Sequence, residues 1–456
     1  MTRRVLVIAY YFPPLGLSGV QRTFKFVKYL PAFGWEPTVL TVEERGYFAR
    51  DESFLEELAG LPVEIVRTPS LDPLHLFRRK KTVDMPSGRA YRAMSRIEQA
   101  FFIPDNKIGW KKYALRSALS MITPQESGTN FAVAGRRDAE EATKGDRTVR
   151  RFDLVFATAP PFTSFLVGRD IKIRTGLPLV LDYRDPWLEN PLHSYPTFVH
   201  RALHHRLERS VLRWADGIIT INRRMKELTL RSSTAISHND ITIIPQGFDP
   251  EDFAGTEPAR RDNRMRITHA GTFYHDRTPQ TLLRALRSFL DGNPDARGCV
   301  VACFAGNFRS EDHRLVDELG LRDDVEILGY LPHRQCVAEL RRADALWMTI
   351  GASRGMEVVS TGKLYEYIGA GKPILASIPE CEARRTLAGH GAAYISGPND
   401  AESLARNIET LFGLFRQNAL PAPRPQFAEQ FDRRRLTGEL VRVFEGIVHH
   451  DEYEAW

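Results

Sequence analysis

Cysteine is scarce in this chain: four residues in 456, Cys299, Cys303, Cys336 and Cys381, with no Cys-x-x-Cys pair and no histidine at ligand spacing. That excludes a disulfide-stapled secreted domain and a zinc-finger type of centre, and it predicts buried thiols in a reducing compartment. Taken as a strand, the run holding Cys299 and Cys303 puts both thiols on one core face. Long apolar runs are also missing. The opening MTRRVLVIAYYF carries two arginines before a short apolar stretch, but that stretch is about half a bilayer span and enters a Pro/Gly loop, so it reads as a first buried strand. Any membrane contact is then expected to be peripheral. There is no Gly-x-Gly-x-x-Gly, no Asp-x-Asp and no short-period repeat. Dinucleotide binding of the usual kind and a repeat architecture are therefore disfavoured.

What is present suits a large folded enzyme. With 43% hydrophobic and 26% charged residues over 456 positions, the chain is too long for one core and too apolar for disorder, which predicts two domains. The net charge of +6 is uneven: residues 1–250 hold 37 Lys and Arg against 27 Asp and Glu, and residues 251–456 hold 26 against 30. A basic first half suits an anionic partner, nucleic acid or an acidic membrane face, although a merely soluble basic surface would look the same. The basic residues do not form a nucleic-acid reading motif, so no nucleic-acid partner is expected.

Short β-branched runs alternate with amphipathic helical runs throughout. In the first half, strands are predicted from Val5, from Glu36, and over 63–67, 154–157, 179–183 and 217–222, with helices over 19–33 and 198–214. In the second half they are predicted over 266–270, 299–304, 325–328, 344–350 and 373–377, with helices over 278–291, 311–319, 333–342 and 362–370. Doubly wound parallel sheets follow. The polar stretch Asp249 to Arg264 sets the boundary, giving domains over 1–250 and 251–425 and a helical segment over 426–456 packing back on the first domain. Residues 72–122, with RRKK at 78–81, offer a basic aromatic face. Residues 123–150 hold few large apolar groups and predict a mobile loop.

In such sheets ligands lie beyond the carboxyl ends of the strands, where backbone amides and helix N-termini favour phosphate. Three loops stand out. Pro13 to Arg22 carries Gly16 and Gly19, which permit close backbone approach or simply tight packing. Ala270 to Pro279 carries Gly271, Thr272 and Arg277, whose guanidinium suits a pyrophosphate or plain solvent. Ser360 to Pro373 opens a helix at Thr361-Gly362-Lys363-Leu364, so its first amides can cradle phosphate, and Glu366, one turn in, can accept from the vicinal hydroxyls of a ribose. Asp182-Tyr183-Arg184-Asp185 is unusually polar for a strand end. Arg184 and Asp185 are either groups that orient an acceptor hydroxyl or a structural pair. His193 and His275 are weaker candidates.

The ordered set Pro13 to Arg22, Ile244 to Asp249, Gly271 to Arg277, Gly329-Tyr330-Leu331-Pro332, and Lys363 to Tyr367 with Gly371-Lys372-Pro373 resembles the retaining family 4 glycosyltransferases. The resemblance spans nearly the whole chain. It implies a GT-B fold, an α/β architecture of two doubly wound Rossmann-like domains facing a cleft. It also implies a nucleotide diphosphate sugar as co-substrate, with no cofactor and no metal. By position, Arg277 corresponds to a basic residue on the donor pyrophosphate, Glu366 to the ribose carboxylate, and Tyr330 and Leu331 to the segment beside the base. Thr361 and Gly362 correspond to the backbone on the β-phosphate, and Gly16 to Gly19 to the loop over donor and acceptor.

Three departures accompany the resemblance. Thr272 stands where a second basic residue is usual, with Lys363 as a substitute charge. Val358 stands where the first glutamate of the family pair is usual, with Glu357 beside it. No histidine occurs at Ala159-Pro160-Pro161. The expected activity is transfer, with retained configuration, of a sugar to a glycan or lipid-linked acceptor in polysaccharide or glycolipid biosynthesis. The expected setting is cytoplasmic, at most peripheral on the inner membrane face. The rival readings are a nucleotide-sugar epimerase of the same fold and a non-catalytic nucleotide-binding member.

Overall fold

The computed structural model describes residues 2–16, 18–45, 50–72, 98–123, 151–190, 193, 195–255, 262–273, 277–353, 355–358 and 361–454. The expected loop over 123–150 (apart from Thr123), the run RRKK at 78–81 and His275 lie outside them. The chain divides into Met1–Ile244 with Thr437–Trp456, and Pro245–Leu436.

The first unit carries seven parallel strands, β1 (Arg3–Ile8), β2 (Trp35–Val42), β3 (Glu64–Thr68), β4 (Leu154–Ala159), β5 (Leu179–Tyr183), β6 (Gly217–Thr220) and β7 (Ile241–Ile243), in the order β3-β2-β1-β4-β5-β6-β7. Its central strands are buried on both faces, which explains their unbroken apolar text. Helices α1 (Ser18–Tyr29), α2 (Thr163–Thr175) and α3 (Phe198–Leu212) belong to this unit.

The second unit carries β8 (Met265–Ala270), β9 (Val300–Ala305), β10 (Val325–Gly329), β11 (Ala345–Thr349), β12 (Ile374–Ser377) and β13 (Ala393–Ser396), all parallel, in the order β10-β9-β8-β11-β12-β13. Helix α4 (Gln280–Gly292) lays Leu282, Leu283, Leu286, Phe289 and Leu290 into the core at helical spacing. Helix α5 (Gly362–Ala370) buries Leu364, Tyr365, Tyr367 and Ile368, leaving Lys363 and Glu366 on its other face. It stops at Gly371, which adopts φ +67°. The chain turns back at β8, since β9 and β10 lie on one side and β11 to β13 on the other. The carboxyl ends of β8 and β11 therefore form a switch point.

Three expectations need adjustment. The division falls at Ile244/Pro245 rather than 250/251, because the Phe248 amide donates to Phe431 O (3.0 Å) and the Arg433 amide to Phe248 O (2.9 Å), tying residue 248 into the second unit. The C-terminal segment is split as well. Phe427 and Phe431 pack in the second core, and only Thr437 onward of α6 (Arg433–Glu454) joins the first unit, where Phe444 meets Trp35 and Phe156 at ring distances of 5.1 and 5.5 Å. Cys299 is exposed because β9 begins one residue later, whereas Cys303 and Cys381 are buried and Cys336 half-buried. Strands β7 and β13 were not anticipated. They are short edge strands with partly exposed residues, so their apolar runs are faint.

Candidate active site

At the switch point of the second unit, two glycines let the strand ends close up. A Cβ at Gly306 would lie 2.6 Å from the Gly271 carbonyl carbon, and one at Gly271 would lie 2.7 Å from Lys363 Nζ. Both take positive φ, +145° and +118°. The Gly271 amide donates to Ala305 O (2.6 Å) and the Gly306 amide to Gly329 O (2.7 Å), so the turns after β8, β9 and β10 are laced together.

Helix α5 is pinned to this edge by Tyr367, whose hydroxyl accepts from the Ala270 amide (2.8 Å) and donates to Trp347 O (3.2 Å). Lys363 is thereby held over the end of β8, with Nζ 3.1 Å from His269 Nε2. His269 Nδ1 lies 3.0 Å from Trp347 O. That carbonyl can only accept, so Nδ1 carries the ring proton and Nε2 accepts from Lys363. Burial and the Lys363 charge hold His269 well below its ordinary value, which keeps it neutral. Lys363 is drawn down to about 7, first by burial and then by Arg277, with Glu366 acting in the opposite sense. Arg277 and Glu366 thus both act on one ammonium group. One turn along, Glu366 Oε1 lies 2.9 Å from His333 Nε2, which is also 4.0 Å from Asp252 Oδ2.

The start of α5 is open. Nothing lies within 4 Å of a Cβ built at Gly362. Thr361 Oγ1 is buried with no hydrogen-bond partner, and the Thr361 side chain does not cap the helix. The first amides of a helix lack the usual partner four residues back, and of these the Leu364 amide turns to Thr361 O. Tyr330, 44% exposed, and half-buried Leu331 follow β10 on the same carboxyl edge. The result is a cluster of two cations, a helix N-terminus and an orphaned hydroxyl for an anion, and a carboxylate with an imidazole for hydroxyls. Among the described residues, no three His, Cys, Asp or Glu side chains of a single unit converge as metal ligands.

Residues 19–247 match the family Glycosyl transferase 4-like domain, and residues 253–414 match Glycosyl transferases group 1. The chain belongs to the group 1, family-4-like glycosyltransferases of the GT-B fold. Among solved structures it is similar to the N-terminal domain of Candida albicans trehalose-6-phosphate phosphatase, with TM-score 0.60 and 13% identity over 98% of this chain and 97% of that one. It is also similar to the α,α-trehalose 6-phosphate synthase of Burkholderia multivorans, with TM-score 0.56 and 11% identity over 99% and 100%. Sucrose-phosphate synthase from Thermosynechococcus elongatus gives TM-score 0.52 and 14% identity over 100% of both chains. At such identities the likeness concerns the fold alone. No curated protein sequence matches the chain.

Several anticipated site residues of this glycosyltransferase sit elsewhere than expected. Leu364 is fully buried in the core and its amide donates to Thr361 O (3.1 Å), so neither its side chain nor its N–H is available to a donor. The helical phase that turns Lys363 and Glu366 outward turns Leu364 inward. At the register of the usual first glutamate, Val358 is buried. The Glu357 side chain lies outside the described residues. Thr272 is half-buried beside Gly271.

The first unit uses its charges differently. Arg184 donates from Nε to Ala159 O (3.1 Å) and from its Nη atoms to Pro160 O (2.6 Å) and Gly19 O. It is therefore a buried clamp between the start of α1 and the end of β4 rather than a group held out to an acceptor. The anticipated Arg184–Asp185 pair does not form. At this strand end the buried ion pair is instead Arg22–Asp182 (3.1 Å), supported by Thr158 Oγ1 on Asp182 (2.9 Å) and by Ile244 O, which accepts from Arg22 (3.0 Å). Asp185 is exposed and makes no hydrogen bond among the described residues. Gly16 is half-buried, Gly19 is exposed with open space around it, and half-buried His193 faces Tyr195 and His204.

Two residues of this cluster escaped sequence reasoning, His269 and His333. The available signals were a histidine one position from the end of a strand that opens the second half, and a second one three residues beyond Tyr330.

Proposed function

We propose that the chain transfers a sugar, with retained anomeric configuration, from a nucleotide diphosphate donor to a glycan or lipid-linked acceptor in polysaccharide or glycolipid biosynthesis. The convergence of Arg277, Lys363 and Glu366 at the amino end of α5 carries this reading. Arg277, Lys363 and the free amides at Gly362 receive the diphosphate, with the Thr361 hydroxyl as a further donor. Gly271 and Thr272 let it approach the backbone. Glu366, steadied by His333, accepts from the ribose hydroxyls, and Tyr330 with Leu331 flanks the base. As the bond between the sugar and the diphosphate breaks, negative charge grows on the β-phosphate. The fixed cations and amides stabilise it without a metal. The acceptor oxygen forms the new bond on the same face and gives up its proton to the departing diphosphate. Exposed Asp185 orients the acceptor hydroxyl, Gly16 to Gly19 form the loop beside it, and Glu357 is the candidate for the sugar-facing glutamate. The work takes place in the cytoplasm at an anionic membrane face, without nucleic acid.

Glu366→Ala tests the reading. Loss of a charged hydrogen-bonding group predicts roughly 10- to 100-fold weaker binding of nucleoside diphosphates, followed by thermal shift, and no detectable transfer. Normal donor hydrolysis and transfer by this variant would sink the assignment. Product analysis separates the rivals. Free rearranged sugar nucleotide marks an epimerase, and nucleotide binding with no donor consumed marks a non-catalytic member.

A further inference from the structure

Helix α3 of the first unit shows an outward face that the donor chemistry leaves unused. Its buried side holds His204, Glu208, Val211 and Leu212. Phe198, Ala202, Arg206, Arg209 and Arg213 follow one another at three- or four-residue spacing and are all exposed, which makes them one row. Phe198 is 85% exposed, with Val199 and Leu203 beside it at 48% and 43%. His200 Nε2 lies 3.1 Å from Ala100 O, which brings Phe101, 79% exposed, to the same end of the helix. Isolated exposed apolar side chains are ordinary, but a cluster built on two phenyl rings is not.

The unpaired charges beside this cluster are of one sign. The side chains of Arg206, Arg209 and Arg213 make no ion pair or hydrogen bond among the described residues. The one acid on the helix, Glu208, is buried. The neighbouring acids are already engaged, Glu189 by Arg201 (2.8 Å) and Asp216 by Lys172 (2.7 Å). Trp214, 41% exposed, closes the row. Apolar rings at one end, unpaired guanidinium groups along the next turns and an indole at the far end match the interface of an anionic bilayer. There the rings enter the acyl boundary, the arginines meet phosphate and the indole sits at headgroup level.

We infer that α3 with Phe101 is a docking surface by which the first unit lies on an anionic lipid membrane. The inference rests on the reading above only in placing the acceptor at a membrane, and it does not depend on the donor site.

The test is co-sedimentation of the full chain with vesicles of phosphatidylcholine alone and of phosphatidylcholine with phosphatidylglycerol. The wild-type chain is expected to sediment with the anionic vesicles at low salt, to leave them as salt rises, and to ignore the neutral ones. Phe101→Ser with Phe198→Ser should lose binding at every salt concentration. Arg206→Gln, Arg209→Gln and Arg213→Gln together should weaken it about a hundredfold, at roughly fivefold per cation. Unchanged melting curves and nucleotide thermal shifts would show that these surface variants remain folded. Wild-type chain that stays in the supernatant with anionic vesicles, or either variant set sedimenting like wild type, overturns the docking surface and leaves the glycosyltransferase reading intact. Vesicle binding without any nucleotide binding does the reverse.

Discussion

The two units share one strand order, to which the first adds β7 at its edge, and use the carboxyl ends of their strands in opposite ways. In the first, charge is neutralised internally: Arg22 pairs with Asp182, and Arg184 gathers three backbone carbonyls, so the start of α1 and the ends of β4 and β5 are locked to one another. In the second, two cations stand close enough to depress one of them, a helix begins in open space, and a buried hydroxyl has no partner. A sheet edge whose charged side chains are held by one another and by backbone carbonyls is a scaffold. One that leaves repulsion and orphaned donors is stabilised when an anion arrives.

That contrast can be broken from either side. The largest effect is expected in the first unit. Asp182→Ala leaves Arg22, 1% exposed, without its carboxylate and should cost about 3–5 kcal/mol in urea unfolding. Nucleoside diphosphate binding should persist wherever the chain is still folded. In the second unit, Arg277→Ala should remove stabilisation of the leaving diphosphate, lowering kcat by roughly 10²–10³-fold while melting hardly changes. A stability loss without a rate loss would place Arg277 with the scaffold instead.

Lys363→Met comes next, at about 10- to 100-fold in diphosphate affinity, and it carries a pH signature. The free protein holds Lys363 near 7 against an ordinary 10.5, so a bound diphosphate restores its charge and takes up a proton around neutral pH. Affinity should therefore fall as pH rises above 7, and calorimetry in buffers of different ionisation enthalpy should detect the uptake. The stability counterpart follows in sign. The folded value lies below the unfolded one, so the unfolded chain binds more protons between about 7 and 10.5, and stability gains with rising pH across that window. Lys363→Met should abolish both trends, and their persistence would assign them to another group. The smallest change is Thr361→Val, about 1 kcal/mol or less in diphosphate binding, with a neutral or favourable effect on melting because a buried hydroxyl without a partner is removed.

Much of this was legible in the chain. Central parallel strands bury both faces, so their apolar runs announce themselves, and the polar turns between them mark where ligands bind. Edge strands β7 and β13 lack that double burial and went unseen. Helical phase was also there to be read in Lys363-Leu364-Tyr365-Glu366-Tyr367: a three-residue step joins Lys363 to Glu366, and Leu364 belongs with the core. The partners of Arg184 and Lys363 were not legible. Its three carbonyls lie 24, 25 and 165 positions from Arg184, and His269 lies 94 positions from Lys363.

Composition and the spacing of apolar residues were enough to specify two doubly wound units and the turns that carry their polar groups, because secondary structure answers to neighbours a few positions apart. Which of those groups are locked and which stay available was decided only on folding. Burial and Coulomb forces act through space between residues far apart in the chain. The same kind of arginine thus became a clamp in one sheet and, by our proposal, a ligand-binding cation in the other.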